Sequence, residues 1–207
     1  TLGVRYDYVD AGAGKADKAP ASPMLRSPDE LYRAYYGRAS GDARENSFSA
    51  LARYERPLWD GGPSIFAGVS RTLQAADATE RYIAANSPMN PAMRWVGNPG
   101  LDPEDHRQAD LGLGWQRSSW ELSGAVFYDD VRDYITPDRA RGQPGILLDD
   151  GARIYRNVSA EIYGLDLGWR YSITGRVGIA DQVLDVGITT LRLAAPAQEP
   201  PDPSPCQ

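Results

Sequence analysis

Gln108-Ala109-Asp110-Leu111-Gly112-Leu113-Gly114-Trp115 sets the fold class of this chain. Ala109, Leu111, Leu113 and Trp115 occupy every second position, with Asp110, Gly112 and Gly114 between them. Successive side chains of an extended strand point to opposite faces, so this stretch is a ribbon with one apolar and one polar side. The same period recurs along the chain. Leu2, Val4, Tyr6 and Tyr8 alternate with Gly3, Arg5 and Asp7. Phe48, Ala50, Ala52 and Tyr54 alternate with Ser47, Ser49, Arg53 and Glu55, Leu51 being the exception on the polar side. Leu165, Leu167, Trp169, Tyr171 and Ile173 alternate with Gly164, Asp166, Gly168, Arg170 and Ser172. The fold class is all-β.

Two architectures use such ribbons. A secreted β-sandwich, which would serve as a binding module, buries its apolar faces against each other. A transmembrane β-barrel turns them to lipid and keeps a polar lumen. Four features predict the barrel. The strands reach the ~10 residues that a tilted membrane strand needs. Their polar faces carry Gly, Ser, Asp and Arg, which suit a wet lumen. Trp115, Trp120, Tyr128 and Tyr171 fall near strand ends, where an aromatic girdle lies. The connections alternate in length: 57–63 and 117–119 are short, 11–45 and 74–103 are long, and 137–151 is intermediate.

Composition narrows the function classes. The 207 residues carry a net charge of −6 and no basic cluster, which argues against a nucleic-acid surface. Mean hydropathy is −0.49, too polar for a bundle of membrane helices, and no run of ~18 apolar residues occurs. Aromatic residues are 12 Tyr and 5 Trp against 3 Phe, a bias toward side chains that favour the lipid–water boundary. The single cysteine, Cys206, allows neither an intramolecular disulfide nor a CxxC metal site. The chain opens on a strand pattern at Thr1 without a leader pattern, so it is expected to be an internal piece of a longer protein.

The long connections hold the helical signals. Pro28 to Tyr36 predicts a short helix capped by Ser27, and Asp77 to Ala84 predicts another. Residues 1–175 are expected to form strands and loops of one barrel portion. In 176–207, Val177 to Leu193 alternates poorly and reads as a degenerate strand. Ala194 to Gln207 is a Pro-rich tail that cannot join a sheet.

Gly97-Asn98-Pro99-Gly100-Leu101-Asp102-Pro103-Glu104 precedes the opening ribbon. Asn-Pro and Asp-Pro start turns, so this is a loop descending into a barrel wall. Gly97, Asn98, Pro99, Leu101, Pro103 and Glu104 resemble the GNPxLxPE hallmark of TonB-dependent outer-membrane receptors. Three further segments agree in order: Phe66 to Arg71, Leu122 to Ile135 and Ile154 to Trp169. The resemblance covers roughly residues 1 to 175. It implies part of a barrel of about 22 strands with a plugged lumen. It further implies a Gram-negative outer-membrane location, a surrounding lipid phase, and uptake of a scarce metal or metal chelate. Energy would come from TonB–ExbB–ExbD acting on a plug domain absent from these residues. Asp77 to Tyr82 and Met89 to Trp95 most resemble the copper-receptor branch; a siderophore or other organometal receptor of the same fold is the alternative.

Candidate chemistry follows. Met89, Met93 and His106 lie in or near a long loop, and thioether and imidazole suit copper. The bland alternative has the methionines packing the loop and His106 starting a strand. In the copper branch the main metal ligands lie, by resemblance, largely outside the matched region. Asp129, Asp130, Asp133, Asp149 and Asp150 would draw cations to a rim or simply face water, and their spacing matches no calcium loop. Tyr155 and Arg156 would touch ligand or anchor a strand rim. Catalysis is not expected: His106 is the only histidine, no nucleophile elbow occurs, and Gly12-Ala13-Gly14-Lys15 lacks phosphate-loop spacing. No resident cofactor is expected.

Overall fold

The computed structural model describes residues 1–175 and 178–194. Seven long strands form one antiparallel meander: β1 (Leu2–Ala11), β2 (Ala43–Pro57), β3 (Ser64–Gln74), β6 (Glu104–Gln116), β7 (Trp120–Arg139), β8 (Arg153–Gly175) and β9 (Gly178–Ala194). Helix α1 (Pro28–Tyr36) lies between β1 and β2. Helix α2 (Ala78–Tyr82) and the two-residue strands β4 (Ala84–Ala85) and β5 (Trp95–Val96) lie between β3 and β6. The sheet is open: among the described residues its seven long strands run from β1 to β9, and at the long-loop end of β8 the short strands β5 and β4 continue it instead.

Register fixes the faces. Leu111 stands opposite Ala67 and Val126, Val126 opposite Leu165, and Leu165 opposite Ile188. On the other side Val69 stands opposite Ala52 and Ala52 opposite Leu2. Directly opposed residues share a face, so the apolar sides of all seven strands merge into one continuous surface. Nothing covers it. Leu2 is 84%, Leu111 56% and Leu167 50% exposed. A sandwich would bury these residues against a second sheet; the described residues form a single sheet, and the β-sandwich alternative fails on that point.

The buried core lies elsewhere. Leu31, Tyr32, Tyr35, Val96, Ala140, Ile146, Ala152 and Ile154 form one cluster at the long-loop end. Ala76, Leu101, Ile135 and Tyr155 form a second. The strands that feed this end overrun the others: β7 has 20 residues and β8 has 23. Beyond the sheet proper, Arg153 and Ile154 of β8 pair with β7 on one side and, in parallel, with Trp95 and Val96 of β5 on the other. The loop between β3 and β6 thus crosses β7 to reach the far edge of β8.

Charged and aromatic residues bound the apolar band. At the long-loop end Tyr8, Arg71, Arg107, Tyr128 and Glu161 lie on the apolar face. At the short-turn end Trp115 meets Trp120 edge-on at 5.0 Å, and Trp169 stacks on Tyr171 at 6.1 Å. Tyr128, grouped with these tryptophans on sequence grounds, belongs to the opposite girdle, where its hydroxyl donates to Glu161.

The polar face resolves the Leu51 exception. Leu51 stands opposite Gly3, and its side chain occupies the space the glycine leaves. Phe66 covers Gly112 and Phe127 covers Gly164 in the same way. Arg53 lies over the Phe66 ring at 3.7 Å and 3.6 Å from Asp110. The weakly alternating stretch after residue 176 forms β9 against β8, and Ala194, placed in the Pro-rich tail on sequence grounds, stands opposite Ser159 as its last residue. Backbone pairing with β8 carries this strand despite its weak pattern. The rest of the expected tail, residues 195–207, lies outside the described residues.

Candidate functional site

The loop cap is assembled by long-range bonds whose donors and acceptors come from local sequence. Ser27 accepts the Glu30 amide while the Glu30 carboxylate accepts the Ser27 amide, a capping box that starts α1. Gly37 ends the helix at φ 72°. Asp77 and Glu80 repeat the box at α2. Helix α1 presents Leu31, Tyr32 and Tyr35 to the cap core. Tyr35 donates to Asp150 at 2.7 Å, and Arg94 reaches the same carboxylate at 3.3 Å. Burial pushes the Tyr35 phenol up to about 12, so it stays a neutral donor. Tyr32 is raised equally by burial and donates to the Tyr82 carbonyl. Asp150 is therefore a lock between loops, already engaged.

The loop motif preceding β6 is a clamp. Gly97 donates to Ile83 at 2.7 Å, and a side chain there would meet the Arg81 carbonyl carbon at 2.6 Å. Asn98 accepts from Gly100 and donates to the Tyr155 carbonyl. Leu101 fills the second cluster. Asp102 and Asn157 exchange two bonds at 3.0 Å, and Asn157 also donates to the Asp133 carbonyl. Asp133 has φ 57° at a bulge between Val131 and Tyr134. Buried Glu104 accepts the Ile135 amide beyond this bulge. The motif thus bolts the crossing loop to β7 and β8. Nearby, Arg81 pairs with Glu45 and is almost fully buried, tying α2 to β2.

The predicted site residues separate. His106 lies on the polar face of the wall, with Nδ1 2.7 Å from Asp129 and Nε2 3.3 Å from Glu104. Both nitrogens face carboxylates, an arrangement that a doubly protonated ring satisfies. Met89 and Met93 sit on the loop surface, 85% and 73% exposed. Met24, in the loop before α1, is 64% exposed, so all three methionines of the chain face outward from the long loops. Reciprocal bonds between Arg26 and Asn86 clasp the loop of Met24 to that of Met89. Sequence reasoning passed over Met24 because nothing near it in the chain marks a site. Among the described residues no group of three or more His, Cys, Asp or Glu is arranged to hold a metal. Tyr155 is buried and stacked on Trp95 at 6.2 Å, and Arg156 lies 3.5 Å from Asp138; both anchor the rim. Asp129 serves His106, and Asp130 stands opposite Arg107 in register.

An open meander with an uncovered apolar face, short turns at one end and a packed loop cap at the other is what the comparisons match. The family model for the TonB dependent receptor-like β-barrel matches residues 1–196. The chain belongs to the TonB-dependent receptor β-barrel family. Members of this family are outer-membrane proteins of Gram-negative bacteria, and transporters rather than enzymes. Among solved structures, the copper transporter OprC is 21% identical with a TM-score of 0.59, covering 91% of this chain and 26% of its own. A double mutant of the Serratia marcescens hemophore receptor HasR, in complex with its hemophore HasA and heme, is 18% identical with a TM-score of 0.52, over 90% of this chain and 29% of its own. The chain thus spans little more than a quarter of the length of these two relatives. At such identities the likeness is one of fold. No curated protein sequence matches.

Proposed function

We propose that this chain forms wall, lumen lining and outer loop cap of an outer-membrane receptor that imports a metal, with copper as the ligand. The observation that carries the membrane role is the continuous apolar face left uncovered while every large buried side chain lies in the loop cap and at the strand ends that enter it. Copper is supported by the three methionines, all exposed on the long loops, since thioethers favour a soft ion. Met89 and Met93 are the proposed donors; His106 joins them only on leaving its two carboxylates. The wall contributes no chemical step. Transport is driven by TonB–ExbB–ExbD through a plug domain supplied outside these residues. Deleting the gene and measuring copper and ferric-siderophore accumulation separately tests the assignment. A selective loss of copper uptake is expected; a selective loss of siderophore uptake assigns the alternative ligand.

A further inference from the structure

The chain contains Asp-Gly at two places, Asp60-Gly61 and Asp150-Gly151, and Asn-Gly nowhere. In this dipeptide a backbone amide readily attacks the side chain before it, because glycine puts no β-carbon in the path and leaves the chain free to bend. The local sequence treats the two sites alike. The structure separates them.

Asp150 is held at both oxygens. Tyr35 donates to its Oδ2 at 2.7 Å, and Arg94 donates to the same oxygen at 3.3 Å. The Ala152 amide donates to Oδ1 at 3.1 Å. The Gly151 amide is itself engaged on the Ala140 carbonyl at 2.9 Å. For the Gly151 nitrogen to reach Asp150 Cγ, these bonds must give way. Asp60 sits in the short turn between β2 and β3. Asp60 and Gly61 are both exposed. They are the central residues of a β-turn closed by the Gly62 amide on the Trp59 carbonyl at 2.9 Å, with Gly61 at φ 66°. Among the described residues the Asp60 carboxylate accepts no hydrogen bond and the Gly61 amide donates none.

We propose that Asp60 is a site of spontaneous conversion to isoaspartate, and that the bonds around Asp150 exempt the loop cap from the same reaction. The Gly61 nitrogen attacks Asp60 Cγ and a C–N bond forms. The protonated carboxyl loses its hydroxyl, which leaves as water with the amide proton, and a five-membered succinimide remains. Water then opens the ring. Opening at the main-chain carbonyl routes the chain through Cγ; nothing is oxidised or reduced, and the water lost is regained. The product has one more carbon in its main chain. The turn is closed by Gly62 on Trp59 and by Leu58 on Pro63, each at 2.9 Å, and the Trp59 indole occupies the space a Gly62 β-carbon would need. A longer main chain cannot keep these bonds and that contact in register. The wall therefore ages at its short-turn end while the cap keeps its shape.

The test uses the complete receptor that carries this chain, held folded in detergent at neutral pH and body temperature for weeks. Peptide mass spectrometry with electron-transfer fragmentation quantifies isoaspartate at each Asp-Gly. Isoaspartate at Asp60 is expected to exceed that at Asp150 about tenfold, the effect of one charge-assisted bond that must break first. In guanidinium chloride the two sites should react alike. Tyr35→Phe should quicken the reaction at Asp150, and Asp60→Glu, which cannot close a five-membered ring, should silence the turn while heat-modifiable migration persists. Equal accumulation at both sites in the folded receptor overturns the proposal. So does a difference that survives denaturation, because its cause is then the neighbouring sequence.

Discussion

At Gly97 the crossing loop passes against the backbone of Arg81 and Tyr82, with Arg81 atoms 2.6 and 2.7 Å from where a β-carbon would stand. Backbone cannot yield as a flexible side chain can, so Gly97→Ala must push α2 off the clamp. The expected cost is about 1–3 kcal/mol, the range of overpacked sites. Gly14→Ala is the control, because nothing lies within 4 Å of that position. Amide hydrogen exchange between residues 78 and 98 should quicken for the first variant and stay unchanged for the second. Sequence showed that Asn98 and Pro99 make a turn and that Glu104 opens a strand. It could not show that Glu104 accepts from Ile135 or that Asp133 adopts a positive φ, because both depend on which strand lies alongside. Much the same holds for His106: its type suited a metal, Glu104 lies two residues before it on the same face of β6, and its other partner, Asp129, emerges only from the pairing of β6 with β7.

At the scale of one element, β6 states the two-faced character most clearly. Leu111 points to the uncovered face and Asp110, its neighbour, to the polar face. Leu111→Arg places a charge against hydrocarbon near mid-band and should cost about 2–4 kcal/mol. Asp110→Asn only loosens an Arg53 contact at 3.6 Å and should cost under about 1 kcal/mol. Urea titration of the folded receptor, read by heat-modifiable migration, compares the two; equal losses would contradict the assignment of faces. Period-two alternation made this element legible, and the capping residues Ser27 and Asp77 did the same for α1 and α2. Strands β4 and β5 were not legible. Two residues carry no period, and Trp95–Val96 is a strand because Ala84 and Ala85 pair with it on one side and Arg153 and Ile154 of β8 offer an edge on the other.

Over the whole molecule, stability is divided between two solvents. The loop cap has an ordinary apolar core around Leu31, Tyr35 and Ile154, and water is enough to hold it together. The wall has no such core, and its apolar side gains only where hydrocarbon replaces water. Lipid in turn accepts no unpaired backbone amide or carbonyl. In the described sheet, β1 and β9 each expose one such row. These 207 residues expressed by themselves are therefore expected to leave two edges that a bilayer cannot satisfy, and to fail to insert. Refolding them into detergent should give no heat-modifiable band and full protease sensitivity in β2 to β7. Helix α1, whose buried Leu31, Tyr32 and Tyr35 pack within the cap, should be the last part to lose protection. A compact, protease-resistant species would mean that β1 and β9 find each other or a second copy, so that closure needs no further strands.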